Sequence, residues 1–279
     1  GWRVLSTLMI GGPDAARKAQ RVGEAVLSRC RRLMAERGWG DFSETSLEVL
    51  GAESTYGAHA RTRAAREVVL KIAAKHATRD ALELLAREIA PSATSMAQGI
   101  TGFAAGRASP SPVVRLFSFL IDRREVAVQV DVDGKTWAFE ESAASIEPAP
   151  VHVDNTASPH AELSGPRERV PLIRIAHGRS GDKGDMANIG IIARSPAAYA
   201  LLLDVLTADV VRQYFEHVAQ GPVTRYALPG FHALNFTLDN ALGGGGIASL
   251  RYDPQGKAFA QMLLDIPLDV PTALLETLS

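Results

Sequence analysis

The first 50 residues show two clear hydrophobic periodicities. A nearly continuous apolar run at 2–10, followed by a Gly-Gly-Pro turn, predicts a buried strand. Over 15–37 the apolar residues recur every three or four positions, which predicts an amphipathic helix with Asp14 as its N-cap. A second strand is expected at 47–50. Strand, helix and strand in this order indicate a βαβ unit.

The next segments are expected to be mainly helical. Residues 58–76 are predicted to form one helix, and Thr78 is expected to cap another at 79–90. On this prediction His59 and His76 lie on polar helix faces, as surface histidines.

Residues 92–139 are expected to connect to a small hairpin. Small residues, glycine and proline interrupt 92–112 and predict a loop, with a strand after it at 113–121. Valines alternate with other residues over 126–132, and an Asp-Gly turn follows them. We therefore expect a hairpin closed by 135–139.

A loss of periodicity divides the chain. The stretch 141–169 is rich in Pro, Ala, Ser and Glu, and is predicted to be an interdomain linker. It separates a first domain, 1–140, from a second, 170–279. The first is expected to be an α/β domain with a partial, mixed sheet and helices. The second is expected to be an α+β domain with a sheet on one side and helices on the other.

The second domain contains short apolar runs, some with the periodicity of a helix and some with that of a strand. Pro196 begins one predicted helix, and the segment 234–242 is ambiguous. The other predicted elements are helices at 208–218 and 257–264 and strands at 223–228, 247–252 and 268–270.

One polar stretch in this domain carries the densest candidate chemistry. Residues 175–193 read IAHGRSGDKGDMANIGIIA, which suggests a strand, a polar loop and a second strand. Glycines at every third position, with Arg179 and Lys183 beside them, would let the loop hold an anion in a backbone nest. The alternative is a tightly hydrogen-bonded hairpin whose charges pair with each other. The stretch does not contain the P-loop pattern of phosphate-binding proteins.

Composition excludes several classes of protein. The chain has 279 residues, a formal net charge of -1 and 46% hydrophobic residues, so nothing in its charge favours nucleic acid or an anionic membrane. The single cysteine, Cys30, excludes an internal disulfide. No apolar run is long enough to span a bilayer and no secretory signal is evident, so we expect a cytoplasmic protein. Because a strand-like run follows Gly1 directly, we expect the chain to be a fragment or a processed or trimmed form.

Four segments carry a resemblance to a known family. They are SMAQGITGFAAGRASPSPVVRLFSFLI (95–121), HGRSGDKGDMANIGIIAR (177–194), RYALPGFHALNFTLDNALGGGG (225–246) and SLRYDPQGKAFAQMLL (249–264). Together they resemble the acyclic terpene utilisation protein family, AtuA. The resemblance implies a ferredoxin-like second domain and a place in the catabolism of branched isoprenoid acids as coenzyme A thioesters. It also implies a long N-terminal section that this chain lacks.

Three segments are expected to converge on a site: 177–188, 230–246 and 95–109. A histidine in a turn is suited to general acid–base work, and the N–H groups of a glycine run could hold an oxyanion. The catalytic candidates are His177, Asp182, Lys183, Asp185 and His232. The candidates for binding substrate or an anion are Arg179, Ser180, Gly181, Asn188, Asn235, Gly244 and Gly245. Metal binding by His177 and the two aspartates is not expected, since their spacing is not diagnostic.

Three hypotheses for function follow. The first is a catabolic enzyme with lyase- or hydratase-type chemistry on a CoA thioester or carboxylate, with the thioester as substrate and no cofactor identified. The second is a non-catalytic binding or assembly module, as a homo-oligomer or in a complex with a chain that carries the N-terminal section. The third is phosphate or nucleotide binding by the glycine-containing loop. A small-molecule substrate is the expected partner, without nucleic acid or membrane.

Overall fold

The computed structural model describes residues 1–103, 106–139 and 165–278. One compact unit is formed by 1–115 with 161–279, and a second by 116–160. The predicted linker at 141–169 lies outside the described residues, except for 165–169. None of the helices in the described ranges combines the length and the apolar character that a membrane crossing needs.

An antiparallel sheet with two long helices forms the first part of the larger unit. Its strands have the order β2-β3-β1-β4, and β5 also pairs with β1. The β-α-β-β-α-β succession and this order match the split βαβ arrangement of ferredoxin-like folds. The elements are β1 (Trp2–Gly11), α1 (Ala15–Glu36), β2 (Glu44–Leu50), β3 (Glu67–His76), α2 (Arg79–Glu88), α3 (Ser92–Ser95), β4 (Ile100–Phe103) and β5 (Ser111–Pro112).

The prediction that the first domain combines helices with a sheet is confirmed. The periodicity did not predict the order in which the strands pair. β1 and β2 run in the same direction, but β3 lies between them and is antiparallel to both. We expected a mixed sheet, and all pairs in the described part of this sheet are antiparallel.

The helix predicted at 58–76 is wrong. A short 3-10 helix, Ser54–His59, and the strand β3 occupy this stretch. β3 is buried on both faces, so its apolar run shows no alternation with exposed polar residues. Such a run cannot be distinguished from a buried helix by periodicity alone.

Asp14 and Thr78 stand at the predicted N-cap positions without capping hydrogen bonds, and the prediction of two surface histidines is wrong. Asp14 makes no capping hydrogen bond and pairs with Arg17 at 2.8 Å. Thr78 also makes no capping bond, and its backbone N–H donates to Nδ1 of His76 at 2.9 Å. His76 is only 2% exposed, at the end of β3. The ring of His59 is partly buried and stacks on Tyr214.

The smaller unit is described only for residues 116–139. The strand predicted at 113–121 is wrong, because this segment has no regular structure and its large apolar side chains are exposed. The hairpin predicted after it is confirmed, with positive φ at both turn residues, Asp133 and Gly134. Its strands are β6 (Gln129–Val132) and β7 (Lys135–Ala138), and a 3-10 helix, Arg123–Glu125, precedes them.

Residues 165–278 form the second part of the larger unit. Its main sheet has the order β11-β12-β10-β9, and β13 pairs with β8. Ile189, Ile191 and Phe236 lie on the covered face of the main sheet, in one core with residues of the helices. The elements are β8 (Arg167–Pro171), β9 (Ala176–Lys183), β10 (Met186–Ala193), α4 (Pro196–Val205), α5 (Ala208–Tyr214), β11 (Val223–Leu228), β12 (Ala233–Leu238), α6 (Phe259–Leu263), β13 (Pro267–Pro271) and α7 (Thr272–Glu276).

Local pattern predicted several elements of this part of the chain. The helix beginning at Pro196 and the strand at 223–228 are confirmed. The strand at 247–252 is wrong, since the segment is irregular. It contacts the first sheet instead: the Arg3 guanidinium donates to the Ile247 carbonyl, and the Lys71 ammonium donates to the Leu250 carbonyl and to Glu48. These contacts explain why a lysine in the middle of β3 is buried.

Two histidines join the short 3-10 helix to α5. Nε2 of His59 lies 3.0 Å from the carbonyl oxygen of Tyr214, and Nε2 of His217 lies 3.0 Å from that of Thr55. Because a carbonyl only accepts, each Nε2 carries the proton and donates. Burial lowers the pKa of His217, since the charged ring loses hydration there.

Acidification is predicted to weaken the fold through His217. The folded pKa lies below the ordinary value of 6.5, so the folded state binds fewer protons than the unfolded state. The contribution of His217 is therefore complete above about pH 6.5 and is lost as the pH falls through the lowered pKa. Urea unfolding at pH 7.5 and 5.5 measures this loss, and His217→Gln should reduce the difference between the two pH values. An unchanged difference in the variant would show that other groups cause the pH dependence.

Candidate functional site

The polar stretch at 175–193 is a β-hairpin. Every residue of β9 pairs with β10, from Ala176 opposite Ala193 to Lys183 opposite Met186. The prediction of a polar loop between two strands is therefore wrong, and the alternative of a hydrogen-bonded hairpin describes the backbone. Successive side chains of a strand point to opposite faces, so the hairpin separates the polar residues into two sets.

One set lies on the sheet face opposite the helical core, which we call the open face. It brings together six of the predicted site residues. Four of these six, Arg179, Asn235, Gly181 and Asn188, stand in the two cross-strand rows Arg179–Gly190–Asn235 and Gly181–Asn188–Thr237. The Asn188 amide donates to the Asn235 amide oxygen at 2.9 Å. The open face comprises His177, Arg179, Gly181, Lys183, Met186, Asn188, Gly190, Ile192, Thr224, Tyr226, Leu228, Ala233, Asn235 and Thr237.

The other set faces the core side of the sheet. The Ser180 hydroxyl donates to the Lys257 carbonyl at 3.2 Å and accepts from the Ala260 N–H at 2.8 Å. Ser180 thereby fixes the start of α6 against β9. Asp182 follows two positions later and lies on the same side by alternation.

The glycine run at 243–246 packs on the turn of the hairpin. One Asp185 carboxylate oxygen accepts from the N–H groups of Leu242 at 3.1 Å and Gly244 at 2.8 Å. A Cβ on Gly245 would lie 2.1 Å from the carbonyl oxygen of Gly184. Asp185 and the glycine run therefore hold each other in place, and the Gly244 N–H that we expected to bind an anion donates to Asp185.

His232 lies at the opposite end of the same sheet. Its carbonyl accepts from Ala193 at the end of β10, and its ring is 5.6 Å from that of Tyr199. Asp185 lies just before the start of β10, about 26 Å away along the strand. The segments 177–188 and 230–246 therefore meet at Asn188 with Asn235 and at Asp185 with Gly244, but His232 and Asp185 do not share one hollow. The third segment, 95–109, contributes β4 to the first sheet, and its residues 104 and 105 lie outside the described residues.

A cavity, which we call the cleft cavity, lies between the first sheet and the segment 246–254. Its volume is about 580 Å³. Apolar side chains line it together with the cations Arg3, Lys71 and Arg251. The lining residues are Arg3, Val4, Leu5, Leu50, Lys71, Ser109, Ser111, Gly246, Ile247, Ser249, Leu250, Arg251, Tyr252 and Pro254.

A second cavity of about 350 Å³ shares Arg251 and Tyr252 with the first. Glu48, His217 and Phe259 contribute to its lining. Burial lowers the pKa of Arg251 and raises that of Tyr252, because each charged form loses hydration. Shifted pKa values beside a concave surface are typical of functional sites.

We did not predict the charged residues of the two cavities from the sequence. Lys71 and Lys75 stand four positions apart in an otherwise apolar run, a pattern that could have marked them as buried charges with partners. Arg251 and Tyr252 stand in the quoted segment SLRYDP, but we interpreted it as a strand. Among the described residues, no three His, Cys, Asp or Glu side chains cluster in a way that could hold a metal ion.

The fold and both cavities define an α+β protein in which two segments of the chain share one cleft. Residues 1–132 match the family model of the acyclic terpene utilisation family protein AtuA, and 170–269 match the AtuA ferredoxin-like domain. The chain belongs to the AtuA family, which implies involvement in acyclic terpene utilisation. No curated protein and no solved structure in the comparisons matches the chain.

Alanine at Gly245 is predicted to destabilise the protein more than alanine at Gly244. Both glycines have positive φ, so each substitution strains the backbone by about 1–2 kcal/mol. Only at Gly245 does the new methyl group also collide with a backbone carbonyl, which raises the expected loss to about 3 kcal/mol or more. Urea unfolding of the two variants measures the difference. Equal losses would contradict the packing of Gly245 on the hairpin turn.

Proposed function

We propose that the chain binds a branched apolar carboxylate, or its CoA thioester, in the cleft cavity, as a catabolic enzyme with lyase- or hydratase-type chemistry. The observation that carries the proposal is the combination of apolar walls and a buried lysine in one cavity. Family membership supports a substrate from acyclic terpene utilisation.

The size and lining of the cavity suit a small apolar chain. Its volume of about 580 Å³ falls within the range of ordinary ligand sites. Leu5 on β1, Leu50 at the end of β2 and Ile247 supply apolar surface from separate parts of the chain. Leu5 and Ile247 are each at least half exposed, so a bound chain would remove apolar surface from water.

Lys71 supplies a charged hydrogen-bond donor for the acid end of such a substrate. Its ammonium group donates to Glu48 and to the Leu250 carbonyl, and an ammonium group has three donors. On our proposal the third donates to a carboxylate or thioester oxygen of the substrate. In lyase and hydratase reactions negative charge develops on that oxygen, and a cation held in a site of low polarity stabilises it.

Catalytic roles for His177, Asp182, Lys183, Asp185 and His232 stay a prediction. None of these side chains lines the cleft cavity. We therefore propose that the substrate binds at Lys71 and the apolar walls. We assign no catalytic step to these five residues.

A thermal-shift measurement tests the binding. A 3,7-dimethyl ten-carbon carboxylate or its CoA thioester, at about 100 times its Kd, should raise the Tm by about 5 °C, whereas acetate should not. Leu5→Glu should abolish the shift, because a carboxylate in the cavity repels the acid and hydrates the wall. Met9→Glu is the matched control, since Met9 is also exposed on this strand but does not line the cavity.

The outcomes separate the two parts of the proposal. Absence of a shift with both ligands, or an equal loss in the two variants, would overturn binding in the cavity. Mass spectrometry of an α,β-unsaturated CoA thioester incubated with the protein should show addition of one water. Binding without any such product would exclude hydratase chemistry on that thioester and leave the binding proposal intact.

The second candidate function is a non-catalytic assembly module. It is favoured by exposed apolar side chains at one end of the main sheet, where Phe231 is 76% exposed and Ile192 and Leu228 lie nearby on the open face. Such a cluster is typical of interaction surfaces. The partner would be a second copy or a chain that carries the family's N-terminal section.

Light scattering of the purified chain tests self-association. A dimer or larger assembly should dissociate when Phe231 and Leu228 are both changed to Ser, because the contact loses apolar area. Leu120→Ser is the control, as Leu120 is fully exposed in the smaller unit. A monomeric wild-type protein would rule out the homo-oligomer.

A further inference from the structure

The open face carries positive charge without carboxylates. Arg179 and Lys183 of β9 carry this charge, and no Asp or Glu stands among the open-face residues. The first carboxylate after β12, Asp239, lies four residues beyond Asn235, about 13 Å along the strand. A cationic face on a chain of net charge -1 is a local feature that composition does not explain.

Gly190 leaves a depression in the middle of this face. It pairs with Arg179 on one side and Asn235 on the other. A Cβ added at Gly190 would meet only the Arg179 carbonyl oxygen, at 3.8 Å, so the space above it is open. Asn188, two positions earlier on the same strand, closes one side of the depression and is hydrogen-bonded to Asn235.

A second cation lies one row away from Gly190, beside Gly181. The ammonium group of Lys257 lies 3.2 Å from the position that a Cβ on Gly181 would take, and Gly181 is the partner of Asn188. Two contacts fix the Lys257 backbone: its carbonyl accepts from Ser180, and its N–H donates to Asp253 at 2.8 Å. In the described part of the chain, neither Lys257 nor Arg179 has an ion-pair partner.

From this geometry we infer that the open face binds a phosphate group above Gly190, between Arg179 and Lys257. The guanidinium group gives paired donors that match the oxygens of a phosphate, and the lysine adds a second positive charge. The amide groups of Asn188 and Asn235 provide further polar atoms beside Gly190. Two cations suit a dianion better than they suit a single carboxylate. This site does not depend on the proposed function of the cleft cavity.

Isothermal titration calorimetry with inorganic phosphate at low ionic strength tests the site. Arg179→Gln and Lys257→Gln should each weaken phosphate binding by about tenfold or more, through loss of a charged hydrogen bond. Arg174→Gln is the matched control, since Arg174 is an exposed cation nearby that does not belong to the open face. It should change the affinity by less than about twofold.

A third variant tests the depression itself. Gly190→Val is expected to fill the space above the strand, because an added Cβ meets nothing closer than 3.8 Å and valine suits a strand. It should abolish phosphate binding while thermal unfolding shows an intact fold. Absence of phosphate binding in the wild-type protein, unchanged affinity in Gly190→Val, or equal losses in Arg174→Gln and Arg179→Gln would overturn the inference. Tighter binding of acetate than of phosphate would overturn the phosphate assignment.

Discussion

Burial of the Lys71 charge is the constraint on which the larger unit depends. Lys71 is 4% exposed, and its ammonium group is held by Glu48 on the neighbouring strand and by the carbonyl of Leu250. A buried charge is tolerated only when it is paired and hydrogen-bonded. The backbone N–H of Tyr252 also donates to Glu48, at 3.1 Å. The segment 246–254 must therefore lie on the first sheet for the charges of β2 and β3 to be satisfied.

This constraint also forms the cleft cavity. The first family match contributes Leu5 and Lys71 to its walls, and the second contributes Ile247 and Arg251. Neither matched segment can enclose the cavity alone. A function that uses it needs both, which is consistent with the two segments packing into one compact unit.

The polar hairpin shows how alternation along a strand distributes chemistry. Its covered side is structural, because Ser180 holds the start of α6. Its turn is structural as well, because Asp185 binds the backbone of the glycine run. Arg179, Asn188 and Asn235 lie on the open face, where solvent reaches them. Polar residues that are close in sequence therefore have three different roles.

Local pattern determined much of the secondary structure: the periodicity of α1, the turn of the β6–β7 hairpin and the alternation of β11 are visible in the sequence. The sequence also contained the family resemblance. It could not reveal β3, whose two buried faces remove the alternation that marks a strand. Only the tertiary structure showed that the cleft cavity exists and that His232 lies far from Asp185. The contact between Lys71 and Leu250 joins residues 179 positions apart, and no local pattern encodes a contact that forms only when two distant segments pack.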